Sequence, residues 1–244
     1  MKKMLFIMNP FAGQKRANRV LPDILLQFSE AGFEINTIMT TGTGAATRAA
    51  QRCGQDVDIV VCCGGDGTLN ETITGLLRAG ASTPLGYIPT GTTNDFAASM
   101  GLSHNPVQAA RDILEGKPYD YDAGRFGARN FAYVASFGAF TRSSYIVPQN
   151  IKNALGHTAY VLGGISELSQ IRKEHIRMDI DGEIVEDDFL FGAICNSTSV
   201  GGILTLDPEV VDLQDNKLEI LLNDTLLAFQ FLLQLFCTRQ YTFR

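Results

Sequence analysis

The sequence predicts an α/β protein, with an N-terminal doubly wound parallel-sheet domain over residues 1–122 and a mostly antiparallel, β-sandwich-like domain over residues 123–244. Three observations carry that prediction. Up to about residue 115, short apolar runs alternate with stretches of helical periodicity. Each of the four apolar runs is followed, in the same phase, by a polar loop of the kind that lines the carboxyl edge of an open parallel sheet. Beyond Asp120-Tyr121-Asp122 the pattern changes to short strand-like segments separated by turns.

In chain order, residues 4–8, 34–39, 59–62 and 85–88 are too short for helices and rich in apolar side chains, which predicts strands. Residues 17–31, 44–53, 68–78 and 106–115 carry helical spacing. In the second half, residues 130–137, 174–180, 188–195 and 217–222 read as strands, with turns at Asp181-Gly182 and Asp215-Asn216. Tyr160, Leu162, Ile165, Leu168 and Ile171 form an apolar face that predicts a helical insertion over residues 157–171.

A chain of 244 residues, 45% of them hydrophobic, can bury a substantial core. The net charge of −6 is spread over both halves, 10 basic against 12 acidic residues through position 122 and 10 against 14 beyond it. No basic stripe exists to hold a polyanion, which argues against a nucleic-acid partner. The five cysteines form no zinc spacing, and Cys62 and Cys63 are adjacent within an apolar run, which favours a reducing, cytoplasmic location. Five apolar residues before Asn9-Pro10 are too few for a secretory core, and no run reaches the roughly eighteen needed to cross a bilayer. Membrane contact, where present, is expected to be peripheral.

The most informative segment is GGDGTLNE, residues 64–71, directly after Asp58-Ile59-Val60-Val61-Cys62-Cys63. Glycines let the backbone approach an anion, free amides at a helix start point toward it, and Asp66 offers a carboxylate to magnesium beside phosphates. A bare Gly-rich turn is also just a tight turn. Thr68, Asn70 and Glu71 sharpen the signal by placing two polar side chains and a second carboxylate on the first helical turn. The loops after the other strands are Asn9-Pro10-Phe11-Ala12-Gly13, Thr40-Thr41-Gly42-Thr43-Gly44 and Pro89-Thr90-Gly91-Thr92-Thr93-Asn94-Asp95.

GGDGTLNE, NPFAG after the first strand and GTTNDFA at residues 91–97 together resemble the bacterial diacylglycerol kinase and related lipid kinase family. Tyr119-Asp120-Tyr121-Asp122, Ala135-Ser136-Phe137-Gly138, the LGHTAY stretch at 155–160 and the turn at 212–218 follow in family order, so the resemblance spans nearly the whole chain. It implies transfer of the terminal phosphoryl group of ATP to a hydroxyl of diacylglycerol or a related lipid at a membrane surface, with Mg2+ as cofactor. By the same resemblance, Asn9, Pro10, Phe11, Ala12, Gly13, Thr40, Gly65, Asp66, Gly67, Thr68, Leu69, Asn70, Glu71 and Thr92 would contact nucleotide. Asp66, Asp95 and Asp122 match catalytic aspartates that organise water and magnesium. Without the family, Asp95 reads equally as a helix N-cap partner and Asp122 as a turn residue.

The 212–218 turn resembles the family's structural magnesium site, with the Asp215 carboxylate and backbone carbonyls near Asp212 and Lys217 around a hard cation. Alone it is an acidic turn. Asn216 stands where the family usually has glycine, a tolerable change because Asn enters the left-handed region. Family members continue to a late Asp-Gly-Glu whose glutamate is assigned as general base. Asp181-Gly182-Glu183 aligns instead with a hairpin turn, so the base is not transferred to Glu183, and the chain is read as part of a longer protein.

Other features have two readings each. TLLAFQFLLQLFC, residues 225–237, is either a helix packed on the second domain or at an oligomer interface, or one laid on a membrane. Arg172, Lys173, His175 and Arg177 form either a solvated corner or a headgroup contact. Lys15, Arg16 and Arg19 either attract phosphates or decorate a helix start. A homodimer through the second domain is a further expectation. Two competing functions stay open: a catalytically silent nucleotide- or lipid-binding module, and a kinase of a soluble substrate, since NAD kinases share GGDG loops.

Overall fold

A computed structural model describes residues 1–13, 16–127, 129–139, 141, 172–200, 204–207, 209, 211–224 and 239–243. The insertion expected over 157–171 and the apolar stretch 225–237 lie outside them, as does Lys15. The chain divides into two compact units, Met1–Asp120 with Arg125–Ala132, and Tyr121–Gly124 with Tyr133–Arg244.

In the first unit, β1 (Lys2–Met8), α1 (Arg16–Glu30), β2 (Phe33–Met39), α2 (Ala45–Cys53), β3 (Ile59–Gly64), α3 (Asp66–Ala79), β4 (Leu85–Pro89), α4 (Asp95–Ser99) and α5 (Pro106–Glu115) follow in order. The four strands pair in parallel as β2-β1-β3-β4. Strand β1 is fully buried over residues 4–8, and its side chains alternate between two cores as a strand's period of two requires. Met4, Phe6 and Met8 face Ala17, Ile24 and Phe28 of α1 and Ala109 and Ala110 of α5. Leu5 and Ile7 face Ala46, Ala49 and Ala50 of α2 and Leu76 of α3. Helices thus cover both faces, the doubly wound arrangement that the alternating pattern predicts.

Small residues set the α2–α3 spacing. A Cβ on Gly75 of α3 would lie 2.4 Å from the Thr47 carbonyl oxygen of α2, so only glycine lets the helix backbones meet. The start of α5 is fixed by Asn105, whose side chain accepts from the amides of Val107 and Gln108, with Pro106 at the first helical position.

Beyond α5 come β5 (Gly124–Phe126), β6 (Arg129–Phe131), β7 (Val134–Gly138), β8 (Glu174–Ile180), β9 (Glu183–Phe189), β10 (Phe191–Cys195), β11 (Ser199–Val200), β12 (Leu204–Thr205), β13 (Leu218–Asn223) and β14 (Arg239–Phe243). The sheet β14-β13-β10-β7 is antiparallel throughout. The β8–β9 hairpin turns on Asp181 and Gly182, with φ of 52° and 94°, the left-handed pair that a two-residue hairpin needs.

Two expected strands are each divided. The run 130–137 breaks at Ala132 and Tyr133, so β6 pairs with β5 while β7 pairs with β10. The run 188–195 breaks at Leu190, whose amide donates to the Asn223 carbonyl while its own carbonyl accepts from Ala139. Apolarity is continuous across both breaks, and only the hydrogen-bonding partner changes.

Candidate functional site

The loops at the carboxyl ends of the four parallel strands are bonded to one another, and the bonds come from the motif residues. After β1, Asn9 closes its own turn by accepting from the Phe11 amide (3.0 Å) and donates from Nδ2 to Thr68 Oγ1 on α3 (3.2 Å). Gly13, at φ 48°, is pressed against the loop after β4, where an added Cβ would stand 1.8 Å from the Thr90 carbonyl oxygen. After β2, the Thr40 amide donates to the Met8 carbonyl (2.8 Å). Gly65 and Gly91 lie back to back, since a Cβ on Gly91 would come within 2.6 Å of Gly65 Cα.

Each carboxylate of GGDGTLNE has a structural task. Asp66 opens α3, yet its two oxygens accept from the amides of Asp95 and Phe96, both at 3.2 Å, and so cap the neighbouring α4. Burial pushes the Asp66 carboxyl above its ordinary range, and those amide hydrogen bonds oppose the rise. Glu71 accepts from the amides of Gly44 (2.7 Å) and Ala46 (3.2 Å), anchoring the loop after β2 and the start of α2. Asn70 accepts from the Ala132 amide (2.9 Å), and Leu69 is core.

The loop after β4 is closed by Asn94, at φ 55°, whose side chain accepts from the Gly91 amide (2.8 Å) and donates to its carbonyl (3.1 Å). Thr92 lines a cleft of about 580 Å3 formed by residues 89–94 with His104, Asn105 and Pro106, a volume in the range of small-ligand sites. Asp95 is buried in the first turn of α4. It is not the cap of its own helix, because Asp66 supplies that. Pro10, Phe11, Ala12 and Gly67 complete the edge; Phe11 is exposed and Ala12 buried. Among the cofactor residues expected from the sequence, Asn9 and Thr68 bond each other, Gly13 and Gly65 press on the loop after β4, Thr40 is tied to the end of β1, Asp66 to α4 and Glu71 to the loop after β2.

Asp122 belongs to the second unit. Its amide donates to the Leu213 carbonyl, its carbonyl accepts from Asn196 Nδ2 (2.9 Å), and its carboxylate accepts from the Asn216 amide (2.6 Å). It therefore holds the 212–217 turn. Within that turn Asp212 accepts from the Gln214 amide, and Asp215 from the Lys217 amide, both at 3.0 Å. The Lys217 ammonium lies 3.3 Å from the other Asp215 oxygen. Asn216 sits at φ 58°, the left-handed conformation its glycine-like position requires.

The turn fits a hard cation only in part. Among the described residues no three His, Cys, Asp or Glu side chains converge to hold a metal. An ion here would depend on Asp215, backbone carbonyls and water, the mixed oxygen set that Mg2+ accepts. The described cysteines Cys53, Cys62, Cys63 and Cys195 are free, and burial pushes the last three up to about 12, which keeps them unreactive thiols.

Sequence reasoning missed four participants: Asn94, His104, Asn196 and Glu219. Asn94 stood inside GTTNDFA without an assigned role, and Glu219 stands in the apolar run LEILL, where a lone acid reads as a solvent-facing strand position. His175 and Arg177, read as part of a basic corner, pair instead with Asp188 and Glu186 across the β8–β9 hairpin.

Comparison with known proteins decides the family. The model of the diacylglycerol kinase catalytic domain matches residues 3–126. Diacylglycerol kinase of Bacillus subtilis (strain 168) is 34% identical over 211 residues, 86% of this chain and 70% of that protein. The diacylglycerol kinase of Staphylococcus saprophyticus is 34% identical over 209 residues, 85% of this chain and 68% of its own length. A crystal structure from Bacillus anthracis str. Sterne, provisionally assigned as a diacylglycerol kinase, superposes with a TM-score of 0.84 at 26% identity, covering 100% of this chain and 83% of that one.

The chain belongs to the diacylglycerol kinase family. It is accordingly an ATP-dependent lipid kinase. No helix among the described residues is long and apolar enough to cross a membrane.

Proposed function

We propose that this lipid kinase transfers the terminal phosphoryl group of ATP to the free hydroxyl of diacylglycerol or a lipid of like headgroup, with magnesium. The observation that carries the reading is the mutual bonding of four Gly-bearing loops at the sheet's carboxyl edge. Rigid backbone amides at such an edge, and at the start of α3, bind polyphosphate at little reorganisation cost. Phosphoryl transfer asks chiefly for positioning and charge neutralisation, so amides and carboxylates suffice without a covalent nucleophile.

In this reading, Gly65 and Gly67 present amides to the phosphates, Thr68, whose own amide closes on the Gly65 carbonyl, ties the helix start to Asn9 through its hydroxyl, and Asn9 and Glu71 hold the flanking loops in register. Asp66 and Asp95 would meet magnesium, which when bound neutralises phosphate charge, and Asp122 would orient the segment that carries the second cation site. Thr92 faces the cleft and would contact the nucleotide from the opposite loop. The substrate would reach the protein from the membrane surface, with the chain bound there peripherally.

The test supplies the protein with radiolabelled ATP, Mg2+ and diacylglycerol in mixed micelles. Label in phosphatidic acid is the expected result. Label appearing only when NAD or a sugar phosphate replaces the lipid would reject the assignment, and binding of ATP without turnover on any lipid would favour a silent binding module.

A further inference from the structure

Among the described residues, Glu219 is an acid buried completely without a protein donor. It lies on β13 and is 0% exposed, and neither carboxylate oxygen has a hydrogen-bond partner. Its strand alternation puts it on the face of Leu221, which packs with Cys195, Leu206 and Val211, so the side chain faces the segment leading into the 212–217 turn. Cys195 Sγ, directly across on β10, goes to the Glu219 backbone carbonyl and not to the carboxylate.

A second acceptor nearby in the chain is in the same condition. Asn196 is fully buried, and its amide nitrogen donates to the carbonyls of Asp122 (2.9 Å) and Leu213 (3.2 Å). Those two bonds fix the amide orientation, which leaves Oδ1 as an acceptor with no protein donor. Buried polar groups in native proteins are almost always satisfied, so two orphaned acceptors beside one turn call for a donor from outside the chain. Lys217 does not serve: its ammonium turns to Asp215, and neither Glu219 nor Asn196 Oδ1 receives a bond from it. A hydrated divalent cation does: its first-shell waters are pure donors, and its charge offsets the surplus of Asp212, Asp215 and Glu219 over Lys217.

We propose that Glu219 is the outer-sphere anion of a divalent-cation site at the 212–217 turn, accepting hydrogen bonds from waters on an ion held by Asp215 and backbone carbonyls. The proposal rests on reading that turn as a cation site, and it makes Glu219 a positioning residue for the ion, not a direct ligand. The ion it selects is one that keeps its water, Mg2+ or Mn2+, over one that strips it.

The experiment measures Mn2+ binding by titration calorimetry and electron paramagnetic resonance, in the absence of nucleotide, on the full chain and on E219Q, E219L and D215N. Melting in Mg2+ against chelator runs in parallel. Wild type should bind Mn2+ and melt higher with Mg2+, and E219Q and E219L should each weaken Mn2+ binding ten-fold or more and lose most of the Mg2+-linked rise. Binding within two-fold of wild type in E219Q and E219L, with D215N still abolishing it, would overturn the role of Glu219 and leave the cation site standing. Identical behaviour of wild type and D215N would remove the site itself, and the proposal with it. E219L separates charge from packing: should Glu219 be only a neutral core acid, that variant melts at or above wild type and keeps its Mg2+ response.

Discussion

Gly67→Ala separates a glycine kept for the fold from one kept for a ligand. Gly67 is the second residue of α3, and an added Cβ there meets nothing within 4 Å. Gly65 and Gly91 differ, because each is held by the other's backbone. On the apo protein, alanine in a helical turn is favoured over glycine by about 0.5–1 kcal/mol. In a chain of this size that raises the melting temperature by roughly 1–3 °C. If phosphate oxygens approach the amides of residues 65–67, the new methyl group stands in their path. Loss of one charge-assisted hydrogen bond, about 1.5–3 kcal/mol, then weakens ATP about 10- to 100-fold. The assays are differential scanning fluorimetry without ligand and KM for ATP at saturating lipid. A variant that melts at or above wild type but raises KM for ATP at least ten-fold is the expected outcome. An unchanged KM would refute the placement of phosphate at this loop, and a lower melting temperature would mean that the helix start has a conformational requirement the structure does not display.

Asp66→Asn removes the charge and sets an amide NH2 against one of the two α4 amides, so it should cost about 1–3 kcal/mol of stability and lose at least about 100-fold in kcat, and Asp66→Ala should lose the cap and the turnover together. Wild-type turnover in the asparagine variant would rule out a magnesium role. Glu71→Gln sets an amide NH2 against one of the two backbone donors of Gly44 and Ala46, and should cost about 1–3 kcal/mol in chemical denaturation; a change below 0.5 kcal/mol, roughly the scatter of neutral surface substitutions, would show the anchor to be dispensable. Hydrogen bonds that the exposed His175 imidazolium donates to the Asp188 and Glu186 carboxylates hold its pKa above the ordinary range. Its stabilising contribution is therefore fully present below the unfolded-state pKa and is lost as pH rises through the higher folded value. An NMR titration should give a His175 midpoint above that of free histidine that falls in Asp188→Asn, and equal midpoints in the two proteins would contradict the pairing.

The parallel half of the fold was legible because its signals are local and repeated. Periodicity places β1 to β4 and the four longer helices within a few residues of where they stand, and the shared phase of the loops puts them on one edge. Helix α4 was missed because nothing local caps it: Asn94 at its N-cap makes no cap bond, and the needed acceptor is Asp66, 29 residues back in the chain. The antiparallel half was legible in its turns, since Asp181-Gly182 and Asn216 announce their left-handed backbone, and less so in its strand ends. Leu190 interrupts an apolar run without a glycine or proline because the change there is one of hydrogen-bond partner, which no single stretch of sequence encodes. Glu219 was overlooked for the opposite reason. A lone acid in LEILL reads as a solvent-facing strand position, and only the fold reveals that its face is closed.

The GGDGTLNE motif owes its length to joinery as much as to ligand chemistry. Thr68 receives Asn9 from the loop after β1, Glu71 holds the loop before α2, Asp66 caps the helix after β4, and Asn70 binds the Ala132 amide at the end of β6. The first two helical turns thus reach four different segments, because residues 66, 68, 70 and 71 fan around α3 at about 100° per residue. The Thr68 amide closes the first turn onto the Gly65 carbonyl, and the side chains carry the bonding between loops. A phosphate site built this way is rigid before the nucleotide arrives, and what fixes it is a set of side-chain bonds that need never touch the ligand. The consequence is that Asn9→Ala, which removes a contact between two loops, should raise KM for ATP in proportion to the loss of loop register, by about 3- to 10-fold for a bond worth about 1 kcal/mol. The double variant Asn9→Ala/Thr68→Ala should then be no worse than the more damaging single variant. Additive losses would mean that the two side chains meet the nucleotide separately and that the joint does not govern the site.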